Sequence, residues 1–281
     1  MKLCILGGGG FRTPYVYQAL LRDGGSPRIT EVALYDIDED RLRAMTIILE
    51  QFAVGFDDAP RLLPTTSLRS AIEGSDFVFA AIRVGGLEGR RCDEHVALDL
   101  GVLGQETTGP GGLAYAIRTV PVMMEVARLV KELAPQAYLM NFTNPAGIIT
   151  EAMQSVLGDR VLGICDTPSG LGRRVAGMLG LDHTRVQMDY VGLNHLGWMR
   201  RVMSNGTDVL PQLLADESPP RSDWSPPGRS STMSVSTTSV GCGGCCTTAR
   251  TCCPGCSPTT TCWAGLRKGS SSAVNGCAAS A

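Results

Sequence analysis

The sequence predicts an α/β protein with a doubly wound parallel sheet, and two observations support this fold class. Amphipathic stretches with apolar residues at helical spacing, such as RLRAMTIILEQF and VPVMMEVARLVKELA, alternate with short apolar runs. The runs are nearly continuously apolar, as parallel strands buried on both faces are. They read KLCIL, EVALY, DFVFAAI, AYLMNF and RVLGIC.

The composition is that of an ordinary globular protein without marked charge. The chain has 281 residues, of which 43% are hydrophobic, and a formal net charge of −2. This charge provides no basic surface for nucleic acid or an anionic membrane, so neither is expected as a partner. No apolar run reaches the roughly 20 residues of a membrane helix, and the first run fits a strand better than a signal peptide. We therefore expect a cytoplasmic protein.

The first predicted strand leads into a glycine loop, ILGGGGFRTP. Glycines between a strand and a helix let the backbone approach a pyrophosphate, which the helix N-terminus attracts. The strict spacing G-x-G-x-x-G is not met, so the loop alone also fits a tight turn. The candidate cofactor-binding glycines are Gly7, Gly8, Gly9 and Gly10.

An acidic residue ends the second predicted strand, in LYDID. Asp36 stands where Rossmann-type domains place the acid that binds the adenosine ribose hydroxyls, and its charge would repel a 2′-phosphate. Capping of the next helix by Asp36 or Asp38 is compatible with this role. Loop, acid and strand pattern together predict a Rossmann-type domain that binds NAD rather than NADP.

Further motifs follow in a fixed order: IRVGGLEGRRCDE, GQETTGPGG, NFTNPAG, GICDTP and YVGLNHLGW. Behind the glycine loop and YDID, this set resembles the family 4 glycoside hydrolases from Met1 to about Leu214. The ordered set is far more specific than any one motif. The resemblance implies that the Rossmann-type sheet is followed by the start of a second domain like that of lactate and malate dehydrogenases.

Family 4 enzymes depart from paired-carboxylate hydrolysis and depend on NAD. The resemblance implies that NAD takes a hydride from the sugar C3, which acidifies the C2 proton. A base then removes that proton, the C1 glycosidic oxygen leaves, water adds and the hydride returns. A divalent metal, with Mn²⁺ the expected ion, stabilises charge on the C2 and C3 oxygens as a Lewis acid. The expected substrate is a small phosphorylated disaccharide or glucoside.

Two residues match the family's metal ligands, Cys165 of GICDTP and His195 of NHLGW. A thiolate and an imidazole can share one divalent ion whose other positions are left for substrate oxygens. Without the resemblance, Cys165 would be interpreted as a small core residue and His195 as a structural histidine.

Two residues match substrate-binding positions, Arg90 and Asn144. A guanidinium suits a sugar phosphate because its parallel N–H groups fit two phosphate oxygens. Arg83 and Arg91 are alternatives to Arg90, and each of the three also fits an ordinary surface arginine.

Two carboxylates match catalytic positions. Asp166 matches an Asp that serves as acid to the leaving group in the family's 6-phospho-α-glucosidases, and that is commonly Asn in its 6-phospho-β-glucosidases. GGLEGR and NFTNP look more β-like, so we favour a 6-phospho-β-glucosidase, with the α-glucosidase as the alternative. Helix capping ahead of Pro168 would also explain Asp166. Glu106 of GQETT matches a carboxylate that raises the basicity of the family's catalytic Tyr.

The chain departs from the family beyond these motifs. The family's Tyr base lies after the NHLGW motif, whereas the last tyrosine here, Tyr190, precedes it. Residues 217–281 lack periodicity and hold eight of the eleven cysteines without regular pairing. We interpret them as a disordered or out-of-frame tail, and the chain as a C-terminally truncated or frame-shifted copy that turns over poorly. The predicted domains are 1–165 for NAD, 166–216 as the start of the catalytic domain, and the tail.

Two other functions stay open at this point. A 2-hydroxy-acid dehydrogenase shares the N-terminal fold, although NFTNP and NHLGW argue against it. A non-catalytic NAD-binding remnant differs from the enzyme only in activity. The full-length protein is expected to be a homo-oligomer.

Overall fold

The structure is a computed structural model in which residues 1–215 are described. The predicted tail, 217–281, lies outside the described residues. Within residues 1–215, no helix is both long and apolar enough to cross a membrane.

A six-stranded, fully parallel sheet forms the centre of the fold. Its strand order is β3-β2-β1-β4-β5-β6, which is the order of a doubly wound Rossmann sheet and confirms the predicted fold class. The order reverses between β1 and β4, where such sheets bind ligands outside the carboxyl ends of the strands. The strands are β1 (Lys2–Leu6), β2 (Glu31–Tyr35), β3 (Arg61–Thr65), β4 (Phe77–Ala80), β5 (Tyr138–Asn141) and β6 (Val161–Gly163).

Helices connect these strands and cover the sheet. The predicted amphipathic stretches lie in α2 and α5, and Asp38 caps α2 by accepting a hydrogen bond from the backbone N–H of Arg41. The helices are α1 (Thr13–Leu21), α2 (Glu39–Ala53), α3 (Leu68–Ile72), α4 (Gly86–Asp99), α5 (Gly109–Leu133), α6 (Ala146–Leu157), α7 (Thr167–Met178) and α8 (Leu210–Ala215).

Strand β1 shows why the apolar runs fold as buried strands. Its side chains alternate between the two sheet faces, so that Cys4 and Leu6 join one hydrophobic cluster while Leu3 and Ile5 join the other. Both faces are therefore covered, as a parallel sheet requires. Strand β3 is not among the predicted apolar runs because it lies at the sheet edge, where its Pro64 is tolerated.

The chain divides into two compact units. The first consists of Met1–Asp93 and Pro110–Cys165, and it contains the parallel sheet. The second consists, within the described residues, of Glu94–Gly109 and residues 166–215. Residues 94–109 thus cluster with the second unit although they lie inside the predicted domain 1–165. The division into an NAD-binding domain, 1–165, and the start of a catalytic domain, 166–216, stays a prediction.

The described part of the second unit is built on an antiparallel hairpin. Strands β7 (Val186–Leu193) and β8 (Leu196–Ser204) pair along their length, and β9 (Thr207–Asp208) adds a short third strand. A small core holds α7 and α8 against the hairpin; it consists of Leu171, Val175, Met199, Val202, Leu210 and Leu213.

Candidate active site

The glycine loop connects β1 to α1 through a turn that excludes larger side chains. Gly7 has φ +90°, and a Cβ there would lie 2.6 Å from the carbonyl oxygen of Ala81. The N–H groups of Gly7 and Gly8 both donate to the carbonyl oxygen of Tyr35, at 2.9 and 2.7 Å. The loop is therefore packed against the carboxyl ends of β2 and β4, where no Cβ fits at Gly7.

Asp36 lies directly beside this loop. Its Oδ2 accepts a hydrogen bond from the Gly9 N–H at 2.9 Å, and its Oδ1 accepts one from the Asp38 N–H at 3.1 Å. The half-buried carboxylate is thus held at the carboxyl end of β2, and it is Asp38 rather than Asp36 that caps α2. Each carboxylate oxygen has a second lone pair, with which it can accept from a hydroxyl group.

Arg12 is a residue that sequence reasoning missed at this site. It occupies the N-cap position of α1, which has no side-chain capping hydrogen bond. Its guanidinium stacks on the Phe142 ring, with Cζ 3.9 Å from the ring centroid. A cation therefore lies between the start of α1 and the segment after β5, although only the glycines of this loop stood out in the sequence.

The segment after β5 is fixed by a buried amide. The fully buried Asn141 donates from Nδ2 to the carbonyl oxygen of Thr143 at 3.1 Å and to Thr150 Oγ1 at 3.2 Å, and its Oδ1 accepts from the Thr143 N–H. Thr143 Oγ1 in turn accepts from the N–H of Ile82 at 3.1 Å, just after β4. The predicted substrate residue Asn144 follows on this rigid turn and is half-buried. The first Asn of NFTNP is structural, a role that the motif alone did not reveal.

Three arginines around the β4–α4 segment were candidates for a phosphate. Arg91 pairs with Glu88 at 2.6 Å on an exposed helix face, and this pairing raises its pKa. Arg83 lies over the ring of Tyr115, with Cζ 5.6 Å from its centroid. Arg90 is half-buried in α4. Arg90, the residue that matches a substrate-binding position of the family, therefore stays the predicted phosphate residue, with Arg83 and Arg91 as its alternatives.

Cys165 and Asp166 connect β6 to α7. Cys165 is half-buried, and Asp166 is exposed at the N-cap position of α7. The Asp166 side chain makes no capping hydrogen bond, although its backbone oxygen accepts from the Gly170 N–H at 2.8 Å. Capping by the side chain therefore does not account for this carboxylate.

His195 lies in the turn of the β7–β8 hairpin, between the paired residues Leu193 and Leu196. Its φ of 57° is uncommon for a residue other than glycine. The neighbouring Asn194 has a buried Oδ1 that lacks a hydrogen-bond partner among the described residues. Imidazole and amide oxygen are donor types that a divalent cation accepts, so the turn fits a metal-binding role chemically.

No group of three or more His, Cys, Asp or Glu side chains within residues 1–215 is arranged to hold a metal. A site with two protein ligands, as predicted for Cys165 and His195, would not form such a group. These two residues belong to different units, and their pairing stays a prediction. Glu106 is half-buried in the segment Glu94–Gly109, and its predicted role also stays a prediction.

Residues 2–181 match the profile of the family 4 glycosyl hydrolases. The chain belongs to this family. The predicted resemblance is thereby confirmed, and membership argues against the alternative 2-hydroxy-acid dehydrogenase.

Curated relatives of this family 4 chain include proteins named as 6-phospho-α-glucosidases and others named as 6-phospho-β-glucosidases. It is 37% identical over 219 residues to a maltose-6′-phosphate glucosidase of Clostridium acetobutylicum, a match that covers 75% of this chain and 49% of the relative. It is 35% identical over 219 residues to a 6-phospho-β-glucosidase of Escherichia coli, with 76% and 48% covered. The chain spans about half the length of the curated relatives it matches.

Solved structures agree with the fold. A Thermotoga maritima 6-phospho-β-glucosidase with manganese, NAD⁺ and glucose-6-phosphate superposes with a TM-score of 0.70 at 33% identity, covering 76% of this chain and 53% of the other. A lactate dehydrogenase of Eimeria maxima shares the fold alone, with a TM-score of 0.55 at 18% identity over 76% of this chain and 60% of the other.

Proposed function

We propose that this family 4 member hydrolyses 6-phospho-β-glucosides by NAD-dependent oxidation at the sugar C3, elimination at C1 and addition of water, with a divalent metal. The observation that carries the proposal is the hydrogen bond from the Gly9 N–H to Asp36 beside the β1/β4 reversal of the sheet. This hydrogen bond holds a carboxylate beside the glycine loop, which supports Asp36 as the acceptor for the ribose hydroxyls. Relatives and solved structures named as 6-phosphoglucosidases support the substrate class.

The glycine loop and Asp36 fit NAD. Side chains are excluded at Gly7, Gly8, Gly9 and Gly10, because a Cβ at any of them would come within 3.0 Å of a protein atom, and the backbone of this loop would bind the pyrophosphate. The Asp36 carboxylate would accept from the adenosine ribose hydroxyls and repel the 2′-phosphate of NADP. When bound, NAD supplies the hydride acceptor for the sugar C3.

Cys165 and His195 are proposed to hold the metal, for which Mn²⁺ is the expected ion. Thiolate and imidazole leave coordination positions for sugar oxygens, and Asn194 offers a buried amide oxygen beside the histidine. When bound, the metal supplies a Lewis acid to the C2 and C3 oxygens.

Four residues are proposed to act on the substrate. Arg90 would bind its phosphate and Asn144 its hydroxyl groups, the latter from a turn that Asn141 makes rigid. Asp166 would protonate the departing glycosidic oxygen, since it matches the acid of the family's 6-phospho-α-glucosidases and its side chain is exposed. Glu106 would raise the basicity of the group that removes the C2 proton, for which this sequence offers no matching tyrosine.

A 6-phospho-α-glucosidase is the second candidate. It is favoured by Asp166, which matches the acid of the α-specific members, and by the similarity to the maltose-6′-phosphate glucosidase. In either case we propose a small phosphorylated glucoside or disaccharide as the ligand, a cytoplasmic location, and assembly into a homo-oligomer.

The test is release of p-nitrophenol from its β- and α-glucoside 6-phosphates, with and without NAD, Mn²⁺ and a chelator. We expect slow release that requires both NAD and metal and is faster for the β-anomer. Faster release from the α-anomer would favour the second candidate. Release at the same rate when NAD is left out and when chelator is present would contradict both candidate functions.

A further inference from the structure

Arg118, in α5, makes one hydrogen bond to the segment between β4 and α4 and two to α4 itself. Its Nη1 and Nη2 donate to the two carboxylate oxygens of Asp93 at 3.1 and 2.6 Å, and its Nε donates to the carbonyl oxygen of Val84 at 3.0 Å. We call Arg118, Asp93 and Val84 the Arg118 clamp. Bidentate charge-assisted pairs of this kind are strong and specific in geometry.

The segment is shaped around this guanidinium. A Cβ at Gly85 would lie 2.7 Å from Arg118 Nε, and a Cβ at Gly89 would lie 3.1 Å from Arg118 Nη2. Gly85 also has φ +86°, which other residues rarely adopt. Glycine is therefore needed at positions 85 and 89 of the GGLEG motif, where the backbone lies against the Arg118 guanidinium.

The clamp differs from the surface ion pairs of the same unit. The Asp93 side chain is only 9% exposed and that of Arg118 31% exposed, whereas in the pair Arg69–Glu132 each side chain is 57% exposed. Exposed pairs contribute little because solvent screens them and their side chains lose entropy. The Arg118 clamp is shielded, so loss of the arginine would leave a buried carboxylate without its ion-pair partner.

The clamp lies next to the proposed phosphate residues. The segment begins where β4 ends, at the reversal of strand order, and it includes Arg83 and leads to Arg90 in the first turns of α4. The Tyr115 ring lies below both Arg83 and Arg118, each with Cζ 5.6 Å from its centroid. The Tyr115 ring thus lies against both Arg118 and Arg83, and Arg90 lies in the chain between Val84 and Asp93, the two residues that Arg118 holds.

We propose that Arg118 is a positioning residue for substrate binding, which fixes residues 82–90 so that Arg90 can reach the 6-phosphate of the glucoside. This inference rests on the proposed function, because it assigns a task to Arg90. Arg118 itself binds protein groups and does not touch the substrate.

The test compares Arg118→Gln with the matched surface variant Arg69→Gln in calorimetric titrations with NAD and then with glucose 6-phosphate. We expect Arg118→Gln to raise the dissociation constant for glucose 6-phosphate roughly 10- to 100-fold, as the loss of a charge-assisted hydrogen bond to the phosphate does. The dissociation constant for NAD should change less than about twofold, because the hydrogen bonds of Arg118 go to Val84 and Asp93 and not to the glycine loop. Arg69→Gln should leave both constants unchanged.

A second variant tests the geometry without removing a charge. Gly89→Ala in the native background pushes against Nη2 and should weaken glucose 6-phosphate binding, whereas in the Arg118→Gln background it should have no further effect. The inference would be overturned if Arg118→Gln bound glucose 6-phosphate as tightly as the native chain does. It would also be overturned if Gly89→Ala changed that dissociation constant equally in both backgrounds. Either result would leave the proposed function standing. Failure of the native chain to bind glucose 6-phosphate at all would overturn the proposed function, and the inference with it.

Discussion

The Gly9 N–H donates to Oδ2 of Asp36 at 2.9 Å, joining the glycine loop to the end of the second strand. A Cβ at Gly9 would lie 3.0 Å from that same oxygen. Position 9 therefore suits glycine beside this carboxylate, which we propose to bind the ribose of a nucleotide. This relationship leads to the first prediction.

Replacing Asp36 with Ala should weaken NAD binding and reduce the preference for NAD over NADP. Loss of a hydrogen bond to a charged group costs about 1.5–3 kcal/mol, which corresponds to roughly a 10- to 100-fold rise in the dissociation constant. Binding of NAD and NADP can be measured by calorimetric titration. The control is Asp38→Ala, which removes the α2 cap, should cost about 1 kcal/mol of stability and should leave nucleotide affinity intact. Equal NAD affinity in the Asp36 variant and the native chain would count against the predicted ribose contact.

Gly7→Ala should destabilise the fold more than Gly55→Ala. Both glycines have φ +90°, but only at Gly7 would a Cβ meet a backbone oxygen, at 2.6 Å, whereas nothing lies within 4 Å of a Cβ at Gly55. Backbone strain alone should cost about 1–3 kcal/mol in each variant, and the clash adds to it at Gly7. The free energy of unfolding in urea gives both values. Equal losses would show that the loop has room to relax.

Asn141→Ala should destabilise the first unit, because it leaves the Thr143 N–H and carbonyl oxygen without their amide partner in a fully buried place. The expected loss is about 1–3 kcal/mol per unsatisfied buried group. Thr150→Val, which removes only one acceptor of the same amide, is the milder control. A loss in the Asn141 variant no larger than in the control would show that water replaces the amide.

The cysteines should differ sharply in reactivity. Burial raises the pKa of the Cys4 thiol to about 12, so it should resist iodoacetamide at pH 8.5, whereas the exposed Cys92 should be modified. Since the folded pKa lies above the ordinary value of 9.0, the neutral thiol favours the folded state at lower pH, and this contribution is lost as the pH rises towards 12. Peptide mass spectrometry measures the modification of each cysteine. Rapid modification of Cys4 in the folded chain would contradict its burial.

The same experiment tests the proposed metal ligands. Mn²⁺ should slow the alkylation of Cys165 but not of Cys92, because a metal-bound thiolate is not available as a nucleophile. His195→Asn should abolish the protection; Asn is a suitable replacement because it tolerates the φ of 57° found there. Protection that persists in this variant would exclude His195 as the partner ligand.

The sequence was sufficient for the fold where strands have a strong local pattern. The glycines of the first loop and Asp36 follow directly on strands, and the apolar runs of those strands are strong signals, so the doubly wound parallel sheet could be predicted. Edge strand β3 lacked such a signal because half-exposed strands need few apolar residues.

Contacts between distant parts of the chain were not predictable in this way. Arg118 and Asp93 are separated by 25 positions on two helices, and neither stands out until the structure brings them together. Asn141 was visible in NFTNP, but its burial and its partners depend on how α6 packs. Arg12 stands out only because its guanidinium stacks on the Phe142 ring, a contact between distant parts of the chain. In each case, the information lies in packing rather than in local spacing.

The most direct test of the central claim is the fate of the C2 hydrogen during hydrolysis. A p-nitrophenyl β-glucoside 6-phosphate would be incubated in D₂O with the chain, NAD and Mn²⁺, and the glucose 6-phosphate formed would be examined by NMR. Oxidation at C3 followed by elimination requires loss of the C2 proton, so the product should carry deuterium at C2. Product that retains hydrogen at C2, formed at a rate unaffected by removing NAD and metal, would contradict the account.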